Sequence, residues 1–521
     1  MTQHTSFWPT GQLDRLLLAV LILFPFLALN TPPLFDLDEG AFTASTTEMF
    51  LRGDFLSSYL LGEPRHDKPI LIYWLQAASV SLLGTSEFAW RLPSALASSF
   101  WILLTYGFVA RVMDKQRGLA AALIIATAAG LTIITRAATA DALLNLWLAA
   151  SAYATWLWLR EGDRRWLYAA WAAMALGFLS KGPIALLIPA GAFFLWSACQ
   201  SELRRALGRF FSWAFAPGPL LLFLAIALPW FIIQTWQEGP GFLAGFFLKH
   251  NLSRFDTPME GHRGQPFYYV PVVLISLLPH TGLLLAALTR LKAIWHDPLL
   301  RFGLLWFLLA FVLFSFSGTK LPHYVYYGYG GLVLILAAMT GEKHVRWLLP
   351  LGGVLMFGLL LALPGLLEQA ATKLKPDDLL LLANLPEYFS LDYWLICGFA
   401  LFISLLGLLV RRLSGRFALY GNGLLGGVAM AVLLLPIVGE VQQAPIKQAG
   451  LYVRQNAHNI TGPLLMYGVN TPSFQTYAGR RVEKRLPRSG DVVLTRQSRL
   501  AELPNAKVLF SKRSYVLVRL R

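Results

Sequence analysis

The sequence predicts a polytopic α-helical membrane protein with a small α/β domain after its last span. Three observations predict it. Of 521 residues, 56% are hydrophobic and only 14% charged, with a mean hydropathy of +0.55, more apolar surface than a water-soluble core of that size can hide. Apolar runs approaching the roughly 20 residues that cross hydrocarbon recur along most of the chain. Beyond them, short β-like runs alternate with turn signals.

Taken in order, the N-terminal segment has one early cation, Arg15, and then an apolar run without a small-residue cleavage site, so it is expected to remain as a first span. Thirteen candidate spans lie near 14–32, 92–112, 118–135, 142–159, 166–180, 183–199, 214–235, 267–289, 299–316, 321–340, 346–366, 391–410 and 417–437. A further apolar stretch, Ile70 to Leu83, is short and carries Gln76 with small polar residues. It is expected to lie flat at the membrane interface.

Charge supports this count. With thirteen spans, Arg111, Lys115 and Arg117 share one side with Arg160, Arg164 and Arg165, with Arg204, Arg205 and Arg209, and with Arg411, Arg412 and Arg416; that side is cytoplasmic by the positive-inside rule. The loop 34–90 holds eight acidic residues against three basic ones and falls on the other side. Counting 70–83 as a span would reverse every later basic cluster.

The expected organisation is a transmembrane catalytic domain over 1–439, with interfacial helices in its first extracytoplasmic loop (33–91), followed by an extracytoplasmic α/β domain over 440–521. The tail's strand-like runs are Pro463 to Val469, Asp491 to Thr495 and Tyr515 to Leu520. It carries fourteen Lys and Arg against four acids, which either hold it against anionic head groups or simply solubilise it. The net charge of +16 is largely topology and calls for no nucleic acid. Cys199 and Cys397 fall in apolar segments at opposite faces, which excludes a bridge and gives no metal-binding spacing.

Once orientation is set, the unusual polar residues share the extracytoplasmic face: Asp38 and Glu39; His66, Asp67 and Lys68; Arg136 and Asp141; Lys181; His250 and Arg254; Lys320, His323 and Tyr324. Carboxylates and cations at a membrane boundary are costly and mark functional sites. No Walker sequence and no Gly-rich phosphate loop accompanies them, so no nucleotide cofactor is expected and the energy must arrive with the substrate. A sugar on a polyprenyl phosphate meets that need. Lys68, Arg136, Lys181 and Lys320 could neutralise a departing phosphate, and Asp38 could accept a proton from an acceptor hydroxyl. Asp67 with His250 is the one extracytoplasmic pair to consider as ligands for a divalent metal of the zinc or magnesium class, with water or substrate oxygens completing the set; the alternative is an ordinary hydrogen-bonded pair.

These residues also carry a family resemblance. Asp38-Glu39 after the first span, Asp67-Lys68-Pro69 with Tyr73-Trp74, Phe88 to Pro93, Asp141, Ser180-Lys181-Gly182, His250 to Phe255 and Ser317 to Pro322 resemble bacterial GT-C glycosyltransferases, above all the aminoarabinose transferases of lipid A and the protein O-mannosyltransferase-like enzymes. The resemblance runs from about residue 14 to 340. It implies an inner-membrane enzyme with about thirteen transmembrane helices, periplasmic juxtamembrane helices, an undecaprenyl-phosphate-linked donor and an active site facing the periplasm. Asp38, Glu39 and Asp141 would then be catalytic. Lys68, Arg136, Lys181, Arg254, Lys320, His323 and Tyr324 would bind donor phosphate or substrate, and Asp67 and His250 would be the metal pair. Two departures leave sugar and acceptor open: Gly40-Ala41-Phe42 stands where an Arg usually follows the Asp-Glu pair, and Asp67 replaces the usual Glu.

The reading is an inverting transferase acting as a single copy on a lipid A, glycan or protein acceptor. The alternatives are a flippase for a lipid-linked glycan, which would carry ionisable groups at mid-bilayer on broken helices, and a non-catalytic partner in envelope assembly.

Overall fold

The computed structural model describes residues 8–252, 265–342, 347–410 and 415–521, with side chains throughout except at 249–252. Helix α1 (Gln12–Leu23) is followed by α2 (Asp38–Arg52), a two-residue hairpin β1 (Tyr59–Leu60) and β2 (Glu63–Pro64), and α3 (Leu71–Leu83). At 13 residues, α3 spans about 20 Å, short of the ~30 Å hydrocarbon layer.

The long helices that follow are α4 (Glu87–Val112), α5 (Lys115–Thr127), the short α6 (Ala129–Ile134), α7 (Asp141–Glu161) and α8 (Arg164–Lys181). Their starts are written locally: the side chains of Ser86, Asp114 and Asp163 accept backbone N–H groups in the first turns of α4, α5 and α8. Pro93 inside α4 cannot bond the Ala89 carbonyl four residues back; the Ser79 hydroxyl donates to that carbonyl instead, at 2.6 Å, tying α3 to α4. Between α5 and α6 the chain breaks at Ala128, and Ala129 N–H turns to the Leu278 carbonyl at 2.8 Å. That break brings the segment 135–140 to the head of α7.

Among the described residues, seven helices are long and apolar enough to cross a membrane, and eight if Pro266–Ser276 and Thr281–Thr289, bent by 118°, form one span. The apolar segments follow the expected order; among the described residues the count of thirteen spans is not confirmed. Hydropathy measures composition over a window, whereas continuity of the helix is decided by backbone breaks such as Ala128 and 277–280, which leave average hydropathy unchanged.

The C-terminal region folds as a five-stranded sheet of order β4-β3-β5-β7-β6. Strand β3 (Leu464–Met466) runs parallel to β4 (Val482–Glu483) and β5 (Val492–Arg496); β7 (Tyr515–Leu520) is antiparallel to β5 and to β6 (Ala506–Lys512). The three expected strand-like runs become β3, β5 and β7. Because residues alternate across the sheet, Val492, Leu494 and Leu517 pack with Ile446, Ala449 and Val453 of the helix Ala444–Gln455, while Val493, Val516 and Val518 fill the other face.

Sheet region and membrane helices meet over α2. In the helix Ser473–Ala478, Ser473 donates its backbone N–H (2.9 Å) and its hydroxyl to Asp36, Gln475 donates to the Ala44 carbonyl at 3.1 Å, and Tyr477 bonds Leu34 N–H and Glu87. Gly40 is required here: a Cβ would stand 1.7 Å from Asp36 Oδ1 and 2.7 Å from Ser473 N. The small residue after Asp38-Glu39 therefore reflects the close docking of the tail.

Candidate active site

Two cavities meet at one end of the helix bundle. The first, about 350 Å³, is mostly apolar, with walls including Leu29, Ile133, Ile134, Tyr326 and Leu435 and the polar residues Asp38, Glu39, Arg91, Arg136, Asp141 and His323. The second, about 540 Å³, is more polar, with Arg65, His66, Asp67, Lys68, Lys181 and Tyr324 on the membrane-domain side and Asn470, Glu483 and Lys484 on the tail side. Asp38, Asp141 and His323 line both, so they mark the junction.

Asp38 is the first residue of α2 and Asp141 the first of α7, positions where the helix dipole favours an anion. The two carboxylates are held differently. Asp38 is exposed to the cavities, and among the described residues it accepts no hydrogen bond. Asp141 is buried; Oδ1 accepts Lys181 Nζ at 2.5 Å and the Tyr327 hydroxyl at 2.7 Å, Oδ2 accepts Thr139 Oγ1 at 3.1 Å, and His323 Nε2 lies 3.7 Å away. The Lys181 ammonium also sits over the rings of Tyr324 and Tyr327 at 5.6 and 5.2 Å, which fixes it in the second cavity.

Glu39 faces inward. Its Oε1 accepts Arg91 Nε at 2.8 Å and Ala138 N–H at 2.7 Å; its Oε2 accepts Arg91 Nη2 at 2.7 Å and Phe35 N–H at 2.8 Å. Arg91 spends its remaining donors on the carbonyls of Leu29, Pro32 and Pro33. This bidentate pair clamps the entry of α2 to α4, and so aims Asp38.

Arg136 lies in the first cavity with 4% exposure. Its Nη1 and Nη2 donate to the carbonyls of Thr132 (2.7 Å) and Phe24 (2.8 Å), while its Nε is buried and unpartnered. Among the described residues no carboxylate pairs with it. A buried guanidinium without a counter-charge is costly in an apolar surrounding.

On the polar side, Asp67 is clasped by two cations. Arg65 Nε donates to Oδ1 at 2.6 Å and Nη2 to Oδ2 at 3.3 Å, and Lys68 Nζ reaches Oδ2 at 3.1 Å. These neighbours hold the Asp67 carboxyl well below the usual carboxylate range despite its burial. Arg65 also donates to the Ala41 carbonyl (2.5 Å) and Ser45 Oγ (3.3 Å) and lies over the Phe42 ring. A guanidinium thus covers the stretch of α2 just after the Asp38-Glu39 pair. The residues present do not fit a divalent metal on Asp67, since both oxygens already face cations; no group of three His, Cys, Asp or Glu converges among the described residues. The His250 side chain and Arg254 lie outside the described residues.

The fold therefore brings together Asp38, Glu39, Asp67, Lys68, Arg136, Asp141, Lys181, His323 and Tyr324. Lys320 is the exception: it is buried, donates to the Ser317 carbonyl at 2.8 Å and is not among the lining residues of either cavity. Sequence reasoning missed Arg65, Arg91 and Tyr327 as site residues, along with the tail residues Asn470, Glu483 and Lys484. Only Arg91 had a signal, an ionisable residue in the largely apolar start of α4.

A family model described as dolichyl-phosphate-mannose-protein mannosyltransferase matches residues 67–233. A protein of Aquifex aeolicus (strain VF5), named only as uncharacterized, is 30% identical over 327 residues, which is 62% of this chain and 73% of that one. The undecaprenyl phosphate-alpha-4-amino-4-deoxy-L-arabinose arabinosyl transferase 1 of Pseudomonas fluorescens (strain Pf0-1) is 27% identical over 484 residues, 88% of this chain and 80% of its own. Among solved structures, ArnT from Cupriavidus metallidurans bound to undecaprenyl phosphate superposes with a TM-score of 0.79 over 98% of both chains, at 19% identity. Fold and site together define a multi-pass membrane glycosyltransferase of GT-C architecture. Within that class, the chain is similar to the aminoarabinose transferases.

Proposed function

We propose that the protein is an inverting glycosyltransferase of the inner membrane with its site facing the periplasm, moving a sugar from an undecaprenyl or related polyprenyl phosphate to a lipid A, glycan or protein acceptor. The relatives' names make an aminopentose and a lipid A acceptor the first pair to try. The transmembrane part, 1–439, carries the chemistry, and 440–521 closes the polar cavity.

One observation carries this reading: Arg136, buried in an apolar cavity with no carboxylate partner among the described residues and no partner for its Nε. The donor's lipid enters along the apolar first cavity and its phosphate takes up Arg136. The acceptor enters the second cavity. Its hydroxyl oxygen attacks the anomeric carbon from the side opposite the phosphate as the carbon–oxygen bond to that phosphate breaks; the proton passes to Asp38, and polyprenyl phosphate leaves paired with Arg136. Glu39 with Arg91 positions Asp38. Asp141 with Lys181, Tyr327 and His323 forms the wall between donor and acceptor, and Lys68 and Tyr324 contact the acceptor side. Arg254, and His250 with Asp67 as a metal pair, belong to the expected set; a metal on Asp67 would have to displace Arg65 and Lys68, so we infer that the guanidinium is the cation serving this carboxylate.

Arg136→Gln tests the assignment. Losing a charge-assisted hydrogen bond, worth about 1.5–3 kcal/mol, should weaken binding of undecaprenyl phosphate by roughly 10- to 100-fold while the protein stays folded. Unchanged binding would remove the basis of the reading.

A further inference from the structure

One sizeable cavity plays no part in the chemistry above. A groove of about 1080 Å³ runs between α4 and α7 and is bounded at one end by α8. Its walls are apolar, with Phe108 and Tyr153 stacked at 4.1 Å and nearly parallel, and Phe100 of its rim is 59% exposed. It lies away from the site: α7 begins at Asp141 and α8 ends at Lys181, whereas the groove closes on Arg111, Lys115 and Trp166, at the other ends of α4 and α8.

We propose that this groove is a binding site for an anionic glycerophospholipid of the membrane leaflet remote from the active site. Length and charge argue for that occupant. Leu146 and Leu157 bound the wall contributed by α7; the eleven helical steps between them cover about 16 Å, close to the ~15 Å hydrocarbon depth of one leaflet. One acyl chain fills such a slot, while the much longer chain of a polyprenyl carrier does not. At the head-group end, the stretches 111–117 and 160–165 hold six cations against three acids. Arg111 is half-exposed and bonds Glu161 through Nη2 at 2.8 Å; its guanidinium lies 5.4 Å from the Trp166 ring centre, and Lys115 donates to the Trp8 carbonyl at 3.0 Å. The remaining donors of both cations suit a phosphate. The indole of Trp166 occupies the head-group level, where tryptophan is enriched.

The test is native mass spectrometry of the full chain in detergent, titrated with dioleoyl phosphatidylglycerol or dioleoyl phosphatidylcholine. Wild type should retain phosphatidylglycerol at least tenfold more tightly. Arg111→Gln with Lys115→Gln should abolish the preference, and Ala150→Trp, which fills the slot, should reduce retention of both lipids; transfer activity should remain. Equal retention of the two lipids by wild type would overturn the proposal, as would a preference that survives both changes. Displacement of phosphatidylglycerol by stoichiometric undecaprenyl phosphate in an Arg136→Gln background would also overturn it, showing the groove to be a second carrier site. If the double variant does not fold, wild type and Ala150→Trp decide the question by themselves.

Discussion

Replacing Glu39 by Gln probes the element that aims the site. Glu39 is 2% exposed and Arg91 3%, and the carboxylate accepts four hydrogen bonds, two from Arg91 and two from backbone N–H groups. Glutamine keeps the shape but supplies one oxygen for two. If that oxygen serves Arg91 Nε and Ala138 N–H, the amide nitrogen points at Arg91 Nη2 and Phe35 N–H, donor against donor. Arg91 then becomes a buried cation without a counter-charge. Breaking a buried pair from one side costs about 3–5 kcal/mol, and the shape retained by Gln puts the expected loss near the lower end, about 3 kcal/mol. Arg91→Ala should cost more, because it also abandons the Leu29, Pro32 and Pro33 carbonyls. The assay is thermal unfolding in detergent beside a transfer assay at a temperature where the variant is folded. Glu39→Gln should melt several degrees lower and lose transfer because Asp38 is no longer held at the junction. A melting temperature within about 1 °C of wild type would refute the clamp.

Two further predictions follow from the same contacts. Burial raises the Asp36 carboxyl from 3.8 to about 7, against the opposing hydrogen bonds from Ser473; its protonated form is favoured by folding, so its contribution is fully present below pH 3.8 and is lost as pH rises through about 7. The difference in stability between wild type and Asp36→Asn should therefore shift against wild type across that window by up to about 4 kcal/mol, and a pH-independent difference would contradict it. Because Arg65 and Lys68 already serve Asp67, transfer by the purified enzyme should survive exhaustive EDTA treatment, while Arg65→Ala should cut it at least tenfold; loss on chelation with recovery on adding zinc or magnesium would reverse the assignment.

The sequence made the membrane class, the short helix over 70–83 and the common face of Asp38, Asp141 and Lys181 legible, because all of these rest on composition and charge placement. Helix breaks were hidden. Ala128 interrupts an apolar run without altering its hydropathy, yet that interruption aligns Arg136 with the head of α7. Partnerships were hidden too: nothing in the spacing of Glu39 and Arg91, 52 positions apart, says that they pair, nor that Arg65 would cover Ala41. Of the tail strands, β6 was missed because its burial alternates only weakly at the sheet edge, and β4 because it is two residues long.

The central claim is that Asp38 is the reacting carboxylate at the meeting point of a donor cavity and an acceptor cavity. Asp38→Asn keeps size and hydrogen-bonding capacity and removes only the negative charge and basicity. With purified variant, an undecaprenyl-phosphate-linked aminopentose and lipid A, mass spectrometry of the acceptor measures product formation directly. The account predicts a fall of about 100-fold or more with undecaprenyl phosphate binding and melting temperature unchanged. Product forming at the wild-type rate would contradict it.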